Sequence, residues 1–205
     1  MPSLILLRHG NTFEKGQTPT YVGGKTDMPL TSEGKGQAKA IARAVLDNFM
    51  PLSGIIAGPL SRTRQMAEMI AAETNSLFVI DERLSEIDYG LWENLSGAEI
   101  RAKFGDEKID AWEKNGLWPD GMNWAPSQEK LERNVKALLD EMHKKLATPE
   151  THNRIIVTSN GILRFIFKAI TDKAPDAAAK VATGAYCVLA PHPEGWNIEL
   201  WNQKP

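Results

Sequence analysis

Leu4-Ile5-Leu6-Leu7-Arg8-His9-Gly10-Asn11-Thr12 is the stretch from which the rest of the chain can be read. Its four apolar residues suit a short, fully buried strand, and an arginine, a histidine and a glycine follow at the C-terminal end. In open α/β sheets, ligands bind at that edge. Arg8 offers a planar fork of donors matched to phosphate oxygens. A neutral imidazole on His9 can attack phosphorus, and Gly10 lets the backbone turn sharply and approach a ligand closely.

Moving outward, the same grammar of strand, polar turn and helix recurs. Residues 11–30 are polar and glycine-rich and read as a long ordered loop or part of a lid. Thr31 has the character of an N-cap with Glu33 in the first turn, and Ala38, Ile41, Ala42, Val45, Leu46 and Phe49 then share a helical face. Ile55-Ile56-Ala57 is a second strand, after which Ser61 is the expected cap of a helix carrying Met66, Met69 and Ile70 inward. Arg62 stands in the first turn of that helix, where the dipole disfavours a cation; a bound phosphate would offset the conflict.

Leu77-Phe78-Val79-Ile80 reads as a third strand. In residues 81–95, acids alternate with Leu84, Ile87, Tyr89 and Trp92, which invites partial burial of a carboxylate. Burial raises a carboxyl pKa toward the range useful to a general acid. Residues 96–126 form an insert or lid with short helical turns, in which Trp112, Trp118 and Trp124 either wall a substrate pocket or anchor the insert. A strong helical pattern from Ser127 to Pro149 follows, with His143 expected in solvent. Next comes the strand Ile155-Ile156-Val157-Thr158, and its end carries Ser159-Asn160-Gly161 before a helix over 162–170. This second strand-to-helix turn presents small polar groups and backbone N–H donors to an anion. Residues 185–190 and 196–201 suggest an antiparallel pair, with His192 exposed in the connection.

The bulk properties set bounds. A chain of 205 residues fits one domain spanning 1–205. Its formal net charge of -2 argues against nucleic acid or a membrane surface as a partner. The lone Cys187 suits a reducing compartment, and the N-terminal apolar run is too short for a signal peptide or a span. The expectation is a cytoplasmic protein of unspecified oligomeric state.

Four blocks, in order, resemble the histidine phosphatase superfamily, which includes cofactor-dependent phosphoglycerate mutases. They are Leu6 to Thr12; Asp27-Met28-Pro29-Leu30-Thr31 with Gly34 and Gln37-Ala38; Pro59-Leu60-Ser61-Arg62-Thr63; and Leu84 to Glu93. The resemblance implies a three-layer α/β/α sandwich with a mostly parallel central sheet. It implies His9 as the nucleophile that forms a phosphohistidine, Arg8 and Arg62 as the phosphate clamp, and Glu86 as general acid and base. Asn160 stands where a second pocket histidine is expected, with Gly161 beside it as a further phosphate-binding residue. Asn11 and Lys15 are additional candidates for phosphate, and Thr12, Tyr89, Trp118 and Trp124 for the substrate pocket. The scheme requires no metal and no cofactor, and the partner is a small phosphorylated molecule. The expected activity is phosphomonoester hydrolysis. Mutase-type transfer, phosphoprotein dephosphorylation and a catalytically weakened phosphate-binding protein are the alternatives.

Overall fold

The computed structural model describes residues 2–148, 151–173 and 175–205. Six strands form one sheet: β1 (Leu4–Arg8), β2 (Leu52–Ala57), β3 (Phe78–Ile80), β4 (Asn153–Thr158), β5 (Tyr186–His192) and β6 (Gly195–Gln203). Their order is β3-β2-β4-β1-β5-β6. The pairs β3–β2, β2–β4 and β4–β1 are parallel, whereas β1–β5 and β5–β6 are antiparallel. The sheet is therefore the expected parallel one with an antiparallel hairpin added at one side.

Alternation along β1 makes the layers. Leu4 and Leu6 join one hydrophobic cluster, and Ile5 and Leu7 join the other, because successive side chains leave opposite faces of a strand. Two helices, α1 (Ser32–Asn48) and α2 (Ser61–Thr74), cover the second face with Ile41, Val45, Met66 and Ile70. On the first face, α5 (Gln128–Leu146) and α6 (Asn160–Thr171) pack with Leu131, Leu138, Ile162 and Phe165. Ahead of α5 in the chain lie α3 (Gly97–Phe104) and α4 (Asp106–Asn115), whose Ile100, Ile109 and Trp112 extend this first core. The result is an α/β/α three-layer sandwich. Among the described residues, no helix is long and apolar enough to cross a membrane.

Several local expectations hold in detail. Thr31 caps α1 by accepting from the Gly34 N–H at 3.0 Å, and Ser127 caps α5 through the Lys130 N–H. Others change. Leu60, not Ser61, occupies the cap position of α2, which has no side-chain cap bond. Ser61 is already helical, and both its N–H and its hydroxyl are donated to the Asp27 carboxylate, at 2.6 and 2.8 Å. A distant acid thus fills the role a local hydroxyl was expected to play. Helix α5 ends at Leu146; the expected terminus at Pro149 lies outside the described residues. His143 is half-buried rather than solvated: its ring meets Trp196 edge-on, and Nε2 lies 2.8 Å from the His192 carbonyl.

Candidate active site

The C-terminal ends of β1 and β4 lie side by side and define the floor of a cavity of about 320 Å³. The His9 N–H donates to the Thr158 carbonyl, continuing the strand pairing one residue beyond Arg8. His9 is almost wholly buried, and its Nδ1 lies 2.8 Å from the Gly10 carbonyl. A carbonyl can only accept, so Nδ1 carries the proton and Nε2 keeps its lone pair. Burial, followed by the charges of Arg62 and Arg8, holds the His9 pKa well below the usual imidazole value. Both effects favour the neutral ring, with the Nε2 lone pair free. Gly10 has the role anticipated for it. A Cβ there would sit 2.4 Å from the Gly34 carbonyl oxygen, so the turn after β1 rests directly on the first turn of α1.

Two guanidinium groups line the same cavity. Arg62, 1% exposed, is fixed by the carbonyls of Thr26, Gly23 and Val22, at 2.9, 3.2 and 3.3 Å. That loop is itself clipped down by the Glu93 carboxylate, which accepts from the Gly23 and Tyr89 N–H groups. Arg8 donates Nη1 to the Val181 carbonyl, while its buried Nε has no hydrogen-bond partner. The hydroxyl of Ser159, at the adjoining end of β4, is likewise buried and unpartnered. Among the described residues neither arginine forms a direct ion pair, so two guanidinium groups line the cavity without a paired carboxylate. Burial lowers the pKa of each, opposed chiefly by the nearby Glu86.

Glu86 reaches the cavity from the segment after β3, at 6% exposure. Its Oε1 accepts from the Ile87 N–H at 2.9 Å and its Oε2 from the Gly161 N–H at 3.1 Å. Burial raises its pKa; Arg62, these two N–H donors and Arg8 oppose the rise without cancelling it. A carboxyl so placed keeps its proton to higher pH than an ordinary carboxylate, as a general acid requires. The site gathers residues from β1, α2, the segment after β3 and α6.

The structure redistributes the remaining candidates. Asn160, Thr12 and Tyr89 line the cavity. Asn160 Oδ1 accepts from the Val181 N–H at 3.0 Å, so its amide is oriented by the backbone. The Gly161 N–H is taken by Glu86 instead of facing the phosphate position, and a Cβ at 161 would lie 2.2 Å from Glu86 Oε1. Asn11 turns its Oδ1 to the Thr183 hydroxyl, and exposed Lys15 sits in the turn beyond it; neither lines the cavity. Trp118 and Trp124 meet each other and Trp112 edge-to-face, Trp124 in the core and Trp118 half-buried against it, with Trp124 also against Tyr89 and Trp92. Of the three tryptophans of the insert, Trp112 lines the cavity. Sequence reasoning missed Arg164 and Lys180, which also line it. Arg164 had left a trace: it is a single charge inside the apolar run Ile162-Leu163-Arg164-Phe165-Ile166. Among the described residues, no cluster of three His, Cys, Asp or Glu side chains is arranged to hold a metal ion.

Comparison with known proteins gives this site its class: the chain belongs to the histidine phosphatase superfamily (branch 1), matched over residues 4–204. Membership carries the superfamily's general activity, phosphomonoester hydrolysis or phosphoryl transfer. Over 164 residues the chain is 31% identical to the probable phosphoglycerate mutase GpmB of Proteus mirabilis, covering 79% of this chain and 71% of that protein. It is 27% identical over 195 residues to a 2,3-bisphosphoglycerate-dependent phosphoglycerate mutase of Gloeobacter violaceus, covering 92% and 84%. A mycobacterial glucosyl-3-phosphoglycerate phosphatase has the same fold, with a TM-score of 0.82 at 21% identity over 100% of both chains.

Proposed function

We propose that this protein is a metal-independent phosphomonoesterase that hydrolyses a small phosphorylated metabolite through a phosphohistidine on His9. The observation that carries the reading is the state of His9: a neutral ring with Nδ1 bonded to a carbonyl, facing a cavity beside two guanidinium groups without counter-ions. In the reaction, Nε2 attacks phosphorus and the P–O bond to the alcohol breaks. Protonated Glu86 gives its proton to the departing oxygen. Arg8 and Arg62 hold the non-bridging oxygens, where charge must be stabilised as the phosphoryl group passes. Arg8, which lines the cavity, has a buried Nε without a partner, a further donor that a phosphate oxygen would satisfy. Glu86, now a carboxylate, takes a proton from water, whose oxygen attacks phosphorus. The P–N bond breaks, inorganic phosphate forms, and His9 and Glu86 return to their starting states.

Residues 1–205 act in this scheme as one catalytic unit, with 96–126 supplying the outer wall through Trp112. Asn160 supplies a neutral amide where the resemblance implied a histidine. The reaction is tested by incubating the protein, without added metal, with phosphomonoesters labelled on phosphorus. A rapidly quenched sample should contain an acid-labile, alkali-stable phosphoprotein, absent in His9→Ala. Turnover without such a species, or with it unchanged in His9→Ala, refutes the mechanism. The identity to named mutases supports a second reading, transfer back to an alcohol. Isomerisation of a phosphoglycerate stimulated by a bisphosphoglycerate would establish it in place of hydrolysis.

A further inference from the structure

Beyond Arg8 and Arg62, a third guanidinium faces the cavity without a counter-ion. Arg164 lies on α6, one turn after Asn160, and is 4% exposed. Nε and Nη2 donate to the Pro175 carbonyl, and Nη2 also donates to the Trp112 carbonyl, at 2.8 Å. The group lies 4.4 Å over the Trp112 ring. Among the described residues no carboxylate pairs with it, and Nη1 makes no hydrogen bond to protein. Buried charges in proteins are ordinarily paired, since carbonyls and a ring face compensate desolvation only in part. Two carboxylates line this cavity. Glu86 is held by the N–H groups of Ile87 and Gly161, and Glu113 is exposed and accepts from the Tyr21 hydroxyl at 2.9 Å. At the mouth, Lys180 is exposed, lines the same cavity and forms no ion pair.

We propose that Arg164 Nη1 and Lys180 form a second anion subsite, so that the substrate is a phosphomonoester whose alcohol portion carries its own carboxylate or phosphate. The geometry sets the spacing. Four residues of helix advance about 6 Å, so the second anion lies about one helical turn along α6 from the phosphoryl group beside Asn160. Trp112 backs the guanidinium and fixes its plane. Neutral and cationic alcohols leave Arg164 without a counter-charge and are selected against.

This inference rests on the phosphatase reading for the place of the first phosphate, but its test needs no turnover. In the His9→Ala protein, calorimetry compares 3-phosphoglycerate with glycerol 3-phosphate, which share a carbon chain and differ in one carboxylate. The carboxylated probe should bind about tenfold or more tightly, the scale of a charge-assisted hydrogen bond. Adding Arg164→Gln should remove most of that ratio, and adding Lys180→Ala should reduce it several-fold, both with little change for glycerol 3-phosphate. Equal binding of the two probes overturns the proposal, as does a ratio unchanged by either added substitution. Arg164 also ties Pro175 to Trp112, so if Arg164→Gln fails to fold, Lys180→Ala, at an exposed position, decides the matter. Failure of the phosphohistidine mechanism would instead appear in the quenched-label experiment, with this binding ratio untouched.

Discussion

The inner and outer ends of the cavity are built by different means. At the inner end, every group with a chemical role is gripped by main chain: His9 by the Gly10 carbonyl, Arg62 by three loop carbonyls, Glu86 by two N–H groups. At the outer end, the walls are side chains from four separate segments: Tyr21 from the 11–30 loop, Trp112 from the insert, Arg164 from α6 and Lys180 from the stretch before β5. Backbone grips tolerate little movement, because strand and helix ends fix them. Side-chain walls can change residue by residue while the sheet stays as it is. On the proposed mechanism, chemistry is held by the fold, and choice of alcohol by the side chains the fold carries around the cavity.

That contrast can be broken or sharpened by substitution, beginning with the inner end. His9→Ala should lower turnover by roughly 10⁴-fold or more while the protein melts close to the parent, since the lost group is the nucleophile. Comparable rates in phosphate-release assays would end the assignment. Glu86→Gln should cost about 10²- to 10⁴-fold on alkyl phosphates and much less on p-nitrophenyl phosphate, whose leaving group departs without a proton. Equal losses on the two substrates would remove the acid role.

Gly161→Ala inserts a Cβ 2.2 Å from Glu86 Oε1 and must displace the carboxyl. Misplacement on the scale of 1 Å should lower kcat by about 10²-fold. A wild-type kcat in this variant would mean that the grip on Glu86 is dispensable.

The pH profile probes the same end more gently. His9 must be neutral and is held below the imidazole range, so the acid limb of kcat/KM should lie below about pH 6.5. Glu86 must be protonated and is raised, so activity should fall as pH rises through a pKa above the ordinary carboxylate range. Arg62→Gln removes a positive charge that depresses His9, and its acid limb should move upward; a limb that stays in place contradicts the coupling. The smallest effect belongs to Lys15→Ala, outside the cavity, which should change kcat/KM by no more than about twofold.

Much of the inner end was legible in the sequence because its signals are local. A buried run ending in Arg8-His9-Gly10, a cation in the first turn of a helix, and acids set among apolar residues each announce themselves within a few positions. The outer end was not legible, because it depends on distant packing. Trp118 and Trp124, read as either pocket wall or anchor of the insert, pack with the core and do not line the cavity, whereas Trp112, the same residue type in the same insert, packs there and also reaches the cavity. Nothing in composition separates them; the fold of α4 does. Asp27 replacing a local cap at Ser61 is a contact across 34 positions, which no window of sequence contains. Lys15 was a phosphate candidate through the resemblance alone, and it is exposed in a turn outside the cavity.

The contact between Gly10 and Gly34 has a consequence for amide hydrogen exchange. The turn after His9 is stitched to α1 by Thr31 on the Asn11 carbonyl and by the Asn11 N–H on Gln37. Residues 14–19, a few positions further on, are exposed. In deuterated water those residues should label early, while the amides of His9 and Asn11 should wait for opening of the sheet itself. The segment that carries His9 then belongs to the slowest-exchanging unit of the protein, and the lability usual for functional loops begins only after Thr12.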